Sequence, residues 1–181
     1  EGLGNNAAIG NYYNGGAGGN YGLSFGGDSL ALISYAGGGT GNFSNNPSGD
    51  TVAYFLSGPG DVMNVTGGFD TGFSFYYADQ VGYTGSVSVY TGLNGSGSLL
   101  ASLSLPSTPN PYTVFTPIGV TFGGTAQSVV FSGAANYIAF DNITLGSETP
   151  GGSGVPDGGT SVVLLSMGML SLAGISRRLR R

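Results

Sequence analysis

The chain alternates apolar and polar residues in short runs, and turns rich in glycine and asparagine separate these runs. In the clearest run, Gly68–Tyr77, the side chains of Phe69, Phe73 and Phe75 fall on one face and Ser74 falls on the other. A period of two residues is typical of a strand in an antiparallel sheet. The pattern predicts nine strands: Tyr21–Phe25, Leu30–Tyr35, Thr51–Leu56, Gly68–Tyr77, Ser86–Thr91, Leu99–Leu105, Tyr112–Phe122, Gln127–Ser132 and Tyr137–Leu145.

Two neighbouring strands, Ser86–Thr91 and Leu99–Leu105, predict a β-hairpin because Asn94 and Gly95 form a strong turn signal between them. Residues 1–149 show no helical period, and several Gly-rich or polar stretches, at residues 14–20, 37–39 and 42–50, predict loops. We therefore expect residues 1–149 to form one all-β domain, an antiparallel jelly-roll-like β-sandwich.

The composition excludes several classes of function. The chain has 181 residues, nine of them acidic and four basic, and all four basic residues are arginines among the last five positions. Residues 1–176 carry no positive side chain, so nucleic-acid binding is excluded. The chain contains no His, Cys or Lys, which excludes a Ser-His-Asp triad, a thiol nucleophile and a Schiff-base lysine. We expect a protein that is not an enzyme.

The C-terminal tail has three parts in a fixed order. Residues 150–159 form a Gly/Ser linker that ends in the motif Val155-Pro156-Asp157-Gly158-Gly159, and the uncharged run 160–176 follows. As a helix, that run would reach roughly 25 Å at about 1.5 Å per residue, close to the ~30 Å of a bilayer core. A buried core helix is the alternative. The arginine-rich end, residues 177–181, predicts a cytoplasmic side for Arg177, Arg178, Arg180 and Arg181.

This three-part tail resembles the PEP-CTERM class of bacterial sorting signals, and in particular its VPDSG-type variant. The resemblance implies that Val155, Pro156, Asp157 and Gly158 form the signature recognised by an exosortase, a membrane-embedded transpeptidase that removes the helix. Gly158 stands where the variant has Ser. The resemblance further implies an exported protein of a Gram-negative bacterium, held first at the inner membrane and then placed at the cell surface or in the extracellular matrix. A permanent tail anchor is the alternative.

The body resembles the exported β-sandwich domains that precede such signals, through NYYNGG at residues 11–16, NYGLSF at 20–25 and YIAFDNITLG at 137–146. It is also similar to carbohydrate-binding and lectin-type jelly rolls. Export requires an N-terminal secretory signal, and the residues after Glu1 do not resemble one, so we expect the signal to have been removed or to lie outside this chain.

Asp141 lies in the last predicted strand, where alternation places its carboxylate beside apolar neighbours and no Lys or Arg of the body can pair with it. A structural Ca²⁺ would resolve this conflict, with Asp28 and Glu1 as further ligands. The alternative is that Asp141 caps a turn through its own backbone.

A polysaccharide-binding face is a second expectation, because sugar sites combine aromatic planes with carboxylate and amide acceptors. The candidate residues are Tyr12, Tyr13, Tyr76 and Tyr90, and exopolysaccharide is the expected partner. A polysaccharide hydrolase would need two carboxylates at a set separation; Asp61, Asp70 and Asp79 are available, in no recognised motif.

Overall fold

The structure is a computed structural model that describes residues 1–58, 60–110 and 112–151. The expected sorting motif, membrane helix 160–176 and arginine end lie outside these residues. None of the helical segments in the described part has the length and apolar character needed to span a bilayer.

The described residues form twelve strands, and the one helical element among them is a short 3-10 turn, Leu93–Gly95. Buried and more exposed positions alternate regularly at residues 51–54, 60–65 and 86–90. In chain order the strands are β1 (Asn14–Gly16), β2 (Gly19–Asn20), β3 (Leu23–Phe25), β4 (Ser29–Ile33), β5 (Thr51–Phe55), β6 (Gly60–Phe69), β7 (Gly72–Asp79), β8 (Gly85–Tyr90), β9 (Leu99–Leu105), β10 (Thr116–Thr121), β11 (Ala126–Gly133) and β12 (Ile138–Leu145).

Ten of these strands build two antiparallel sheets of five strands each. Sheet 1 has the order β10-β7-β12-β5-β4, and sheet 2 has the order β3-β6-β11-β8-β9. Strands β1 and β2 form a separate small hairpin. The described chain is therefore an all-β, jelly-roll-like sandwich, as the alternating pattern predicts.

Aromatic side chains join the two sheets. The ring of Phe131 in β11 lies 4.9 Å from Phe140 in β12 and 6.0 Å from Phe75 in β7, so one ring of sheet 2 contacts two rings of sheet 1. All three rings are buried, and Val87 and Val89 of β8 are buried with them, as their alternation predicts. This burial of apolar surface is the main force that holds the sheets together.

The prediction of a single strand at Gly68–Tyr77 is wrong. Residues up to Phe69 belong to β6 in sheet 2, and residues from Gly72 belong to β7 in sheet 1. The backbone turns between them because Gly68 and Thr71 have φ of 72° and 65°, outside the extended region. Strand β6, most of which has no counterpart among the predicted strands, then pairs with β11 at the centre of sheet 2.

The other predicted strands agree with the structure to within a few residues, except that Tyr112–Phe122 shortens to β10. The hairpin of β8 and β9 is confirmed, with Asn94 and Gly95 at φ of 57° and 69° in its turn. The stretch 14–20, predicted to be a loop, contains the hairpin of β1 and β2.

Two glycines of β6 allow a matched test of the pairing in sheet 2. A Cβ atom at Gly60 would collide with the backbone oxygen of Phe131 in β11, whereas a Cβ atom at Gly67 meets no atom within 4 Å. We expect Gly60→Ala to lower the free energy of unfolding by about 1–3 kcal/mol, because β11 must shift. Gly67→Ala should leave stability unchanged or raise it by about 0.4–1 kcal/mol. Urea unfolding of both variants measures this; equal effects would contradict the assigned β6–β11 register.

Candidate functional site

A cleft of about 380 Å³ opens at the side of the sandwich where β12 separates from β5. These two strands pair at a single position, Phe140 with Ala53. Beyond it, β12 contains a bulge between Asp141 and Thr144, and Asn142 adopts φ of 47°. A bulge of this kind turns the strand away from its neighbour. The opening therefore follows from the local backbone of β12.

Apolar and polar side chains both line the cleft. Met63 and Phe140 are fully or almost fully buried, and Tyr21 is 70% exposed, so the lining runs from the core to the surface. The other apolar lining residues include Leu23, Phe25, Ile143 and Leu145, and the polar ones include Glu1, Ser48, Asp141 and Asn142.

Asp141 is fixed at this cleft by hydrogen bonds. Its carboxylate accepts hydrogen bonds from the Ser48 hydroxyl at 2.8 Å and from the Ser48 backbone N–H at 3.1 Å. The backbone N–H of Asn142 donates at 2.7 Å. The carboxylate thus caps its own turn and also holds the loop that contains Ser48. Burial raises the pKa of Asp141, and the bonds from Ser48 and Asn142 act in the opposite direction.

The two residues proposed as further calcium ligands lie in different places. The Glu1 carboxylate accepts the Thr51 N–H at 3.1 Å, and its negative charge adds to the rise in the pKa of Asp141. Asp28 is exposed, accepts the Ser57 hydroxyl at 3.2 Å, and acts electrostatically on Asp61 instead. Within residues 1–58, 60–110 and 112–151, no three His, Cys, Asp or Glu side chains converge as a metal site would require. Calcium binding stays a prediction.

The four candidate tyrosines lie in three places. Tyr12 and Tyr13 make an edge-to-face pair at 4.9 Å, and Tyr13 lines the cleft. Tyr76 lies in β7 directly opposite Asp141 of β12, and Tyr90 ends β8 in the other sheet. Of the four candidates, the structure therefore places Tyr13 alone in the lining of the cleft, with Tyr12 packed against it.

Sequence reasoning did not single out Tyr21, whose ring lies 6.3 Å from that of Tyr13. The two residues meet because the hairpin of β1 and β2 folds the chain back, and the Tyr21 N–H donates to the Tyr13 carbonyl at 2.9 Å. The glycines at positions 15, 16, 18 and 19 are the signal that could have identified this hairpin.

The acidic residues considered for hydrolysis do not form a common site. Asp61 lies near the start of β6 opposite Phe131 of β11, and Asp70 follows the end of β6, where Phe69 pairs with Ala126, so about five residues of β11, roughly 17 Å, separate the two ends. A retaining or inverting pair requires a separation of roughly 5–9.5 Å. Asp79 is fully buried and accepts hydrogen bonds from the Thr108 backbone N–H and hydroxyl, so its carboxylate is directed to a loop of the protein.

Comparison with protein-family models and with curated protein sequences gives no match. Among solved structures, the chain is similar to a family 6 carbohydrate-binding module studied by binding sub-site dissection, with 15% identity, a TM-score of 0.44, and coverage of 67% of this chain and 85% of that one. CsCBM6-3 from Clostridium stercorarium, in complex with cellobiose, gives the same values.

A third similar structure is a glycoside hydrolase family 43 arabinoxylan arabinofuranohydrolase from Bacillus subtilis, in complex with cellotetraose. Its identity to this chain is 19% and the TM-score is 0.45, and the match covers 66% of this chain and 24% of the enzyme. The class that the described structure defines is an antiparallel jelly-roll-like sandwich with a lateral cleft.

The raised pKa of Asp141 has a consequence for stability. A carboxyl group with a raised folded-state pKa binds its proton more tightly when folded, so its stabilising effect is complete below the ordinary value of ~3.9 and is lost as pH rises through the raised pKa. We expect this contribution to the free energy of unfolding to fall as pH rises above about 4, and Asp141→Asn to reduce that slope.

Urea unfolding at several pH values measures this slope. Asp70→Asn is the control, because Asp70 lies exposed in the turn between β6 and β7. An Asp141→Asn protein with the same slope as the wild type would contradict the assignment.

Proposed function

We propose that this protein is an exported bacterial cell-surface or extracellular-matrix protein without catalytic activity, sorted by an exosortase through its C-terminal tail. The order of features in the tail carries this proposal. A Gly/Ser linker, the motif Val155–Gly158, an uncharged run and four terminal arginines follow one another in the last 32 residues, 150–181. Each feature alone is common, and their order is what fits a sorting signal.

The position of the motif supports this proposal. The last strand, β12, ends at Leu145, and nine residues, 146–154, separate it from Val155. The motif therefore follows the last strand of the described structure in the chain. Pro156 disfavours a helical backbone at Val155, and the flanking glycines carry no side chains that would obstruct a peptidase. A peptidase that needs an extended peptide could act here without unfolding the body.

The distribution of charge supports the direction of transport. Positive residues favour the cytoplasmic side of a membrane, and all of those in this chain follow the uncharged run. The body, with acidic side chains only, would then lie on the outer side of the inner membrane, where a processed protein can leave for the surface.

C-terminal mass spectrometry of protein from the native host tests the sorting. Glu148 is the last glutamate, so a glutamate-specific protease releases one C-terminal fragment that begins at Thr149. We expect this fragment to end within Val155–Gly159, with or without added glycan mass. A fragment that extends to Arg181 would instead identify a permanent tail anchor.

A pair of variants distinguishes recognition of the motif from general effects of charge. Asp157→Ala removes the acidic residue of the motif, and Asp70→Ala removes an exposed one from the turn between β6 and β7. We expect the uncut fragment to accumulate in the first variant only. Equal processing of both variants would count against recognition at Val155–Gly158.

The cleft supports a second candidate function, polysaccharide binding. It combines the rings of Tyr13 and Tyr21 with the carboxylates of Glu1 and Asp141, which are the two kinds of group that sugar sites use. Ser48 and Asn142 fix the orientation of the Asp141 carboxylate. A carboxylate held in this way can accept hydrogen bonds from sugar hydroxyls without first having to be ordered.

The charge of the cleft indicates which polysaccharides it would take. Two carboxylates line it, and residues 1–176 supply no Lys or Arg. Polymers rich in uronic acid or sulfate would be repelled, so the expected ligand is a neutral or amino-sugar glycan. Calcium would reverse this preference by bridging carboxylates, and the assay below therefore includes calcium and chelator arms.

Two equally exposed tyrosines provide the test of binding at the cleft. Tyr21 and Tyr35 are both 70% exposed, and only Tyr21 lines the cleft. We expect Tyr21→Ala to weaken retention on neutral exopolysaccharide about 5- to 160-fold, the range expected when about 1–3 kcal/mol of aromatic contact and apolar burial is lost. Tyr35→Ala should retain wild-type binding. Affinity electrophoresis with and without calcium measures this, and absence of retention in every arm would exclude the candidate.

A further inference from the structure

Three of the four sheet edges in the described structure are covered or interrupted. In sheet 1, the N-terminal segment adds to β4: the Asn6 N–H donates to Ala31 at 2.7 Å, and the Ala31 N–H donates to Ala7 at 2.9 Å. In sheet 2, β3 has only three residues, and its Phe25 N–H donates to the Gly10 carbonyl at 2.9 Å. Covering an edge in this way prevents it from pairing with another chain.

The edge of β10 is interrupted by a different means. Pro117 lies inside this strand and has no N–H to offer to a further strand. Proline within an edge strand is a common device against edge-to-edge pairing.

The fourth edge, β9, has none of these protections along most of its length. Its sequence, LLASLSL, contains no proline and no charge. A bulge lies near its start, at Leu100, and the register to β8 is regular from Ala101 to Leu105. In the described part of the chain, β9 makes hydrogen bonds only to β8, through the strand ladder and a 3.4 Å contact between Ser88 and Ser102. The outward N–H and C=O groups of Ala101–Leu105 therefore have no partner there.

The charges of the molecule indicate what could occupy this edge. Residues 80–140 contain no Asp, Glu, Lys or Arg, and this span includes β9 and its neighbour β8. The acidic residues of the body all lie outside it, so β8 and β9 add no charge repulsion when the β9 edges of two copies approach each other. When the β9 edges of two copies meet, neither strand carries a charged side chain, so the two edges fit each other electrostatically.

We propose that β9 pairs with β9 of a second copy of this chain. Ala101–Leu105 runs antiparallel to the same segment, with Leu103 opposite Leu103, and the two copies of sheet 2 become one ten-stranded sheet. This register places Ser102 opposite Ser104 of the second copy, so small uncharged side chains meet on the outer face, where both serines are exposed. The pairing is independent of the tail and of the cleft.

Sedimentation velocity of the full chain at fixed detergent concentration tests the proposal. The variant Ser102→Lys/Ser104→Lys sets lysines directly opposite each other twice in the paired edge, and like charges in that position are destabilising. We expect its dimer to be at least about tenfold weaker than that of the wild type. The control, Thr66→Lys/Thr121→Lys, adds the same charge at exposed threonines of β6 and β10 and should dimerise as the wild type does.

If the wild type and both double variants associate equally, the apolar tail rather than β9 joins the copies, and that result overturns the proposal.

Amide hydrogen exchange on the wild-type chain provides a second test that needs no variant. The N–H groups of Ala101–Leu105 that do not bond to β8 should exchange more slowly as protein concentration rises, while exchange in the covered strand β4 stays constant. If those N–H groups are protected equally at every concentration, the chain itself covers this edge, and if they are never protected, no partner binds there. Either result overturns the proposal.

Discussion

The body of this protein contains acidic side chains and no Lys or Arg, so each buried carboxylate must be stabilised by neutral hydrogen-bond donors. Asp141 uses Ser48 and its own turn, and Asp79 uses Thr108. Both donors outside the strand come from loops that are distant in sequence. The carboxylates therefore attach those loops to the sandwich.

The cleft lies beside one of these carboxylates, Asp141. Because β12 contains a bulge after Asp141, it leaves β5, and the carboxylate then binds the Ser48 loop beside the gap instead of extending the sheet. The hairpin of β1 and β2 supplies aromatic rings from the other side. The bulge of β12, the Ser48 loop and the hairpin of β1 and β2 thus form one concave surface together, and no single segment of the chain supplies it.

The sequence predicts those parts of the fold where alternation is regular. Leu99–Leu105 agrees residue for residue, because its turn signal and its period of two coincide. Strand β6 was missed because buried Asp61 takes an inward position and half-buried Val62 an outward one, which reverses the expected polarity. The cleft could not be predicted, since it depends on a positive φ at Asn142 and on Tyr21 meeting Tyr13 across a hairpin. Asp141 was recognised as unusual from its neighbours, but its partner Ser48 lies 93 residues away.

The last described residues return to the sandwich after β12 ends. The Thr71 hydroxyl donates to the Gly146 carbonyl at 2.8 Å, and the Gly151 N–H donates to the Thr144 hydroxyl at 3.0 Å. The described chain therefore stays bonded to the sandwich as far as Gly151, inside the linker. A pull on the chain beyond Gly151 would load these two hydrogen bonds before it reached the pairing of β12 with β7.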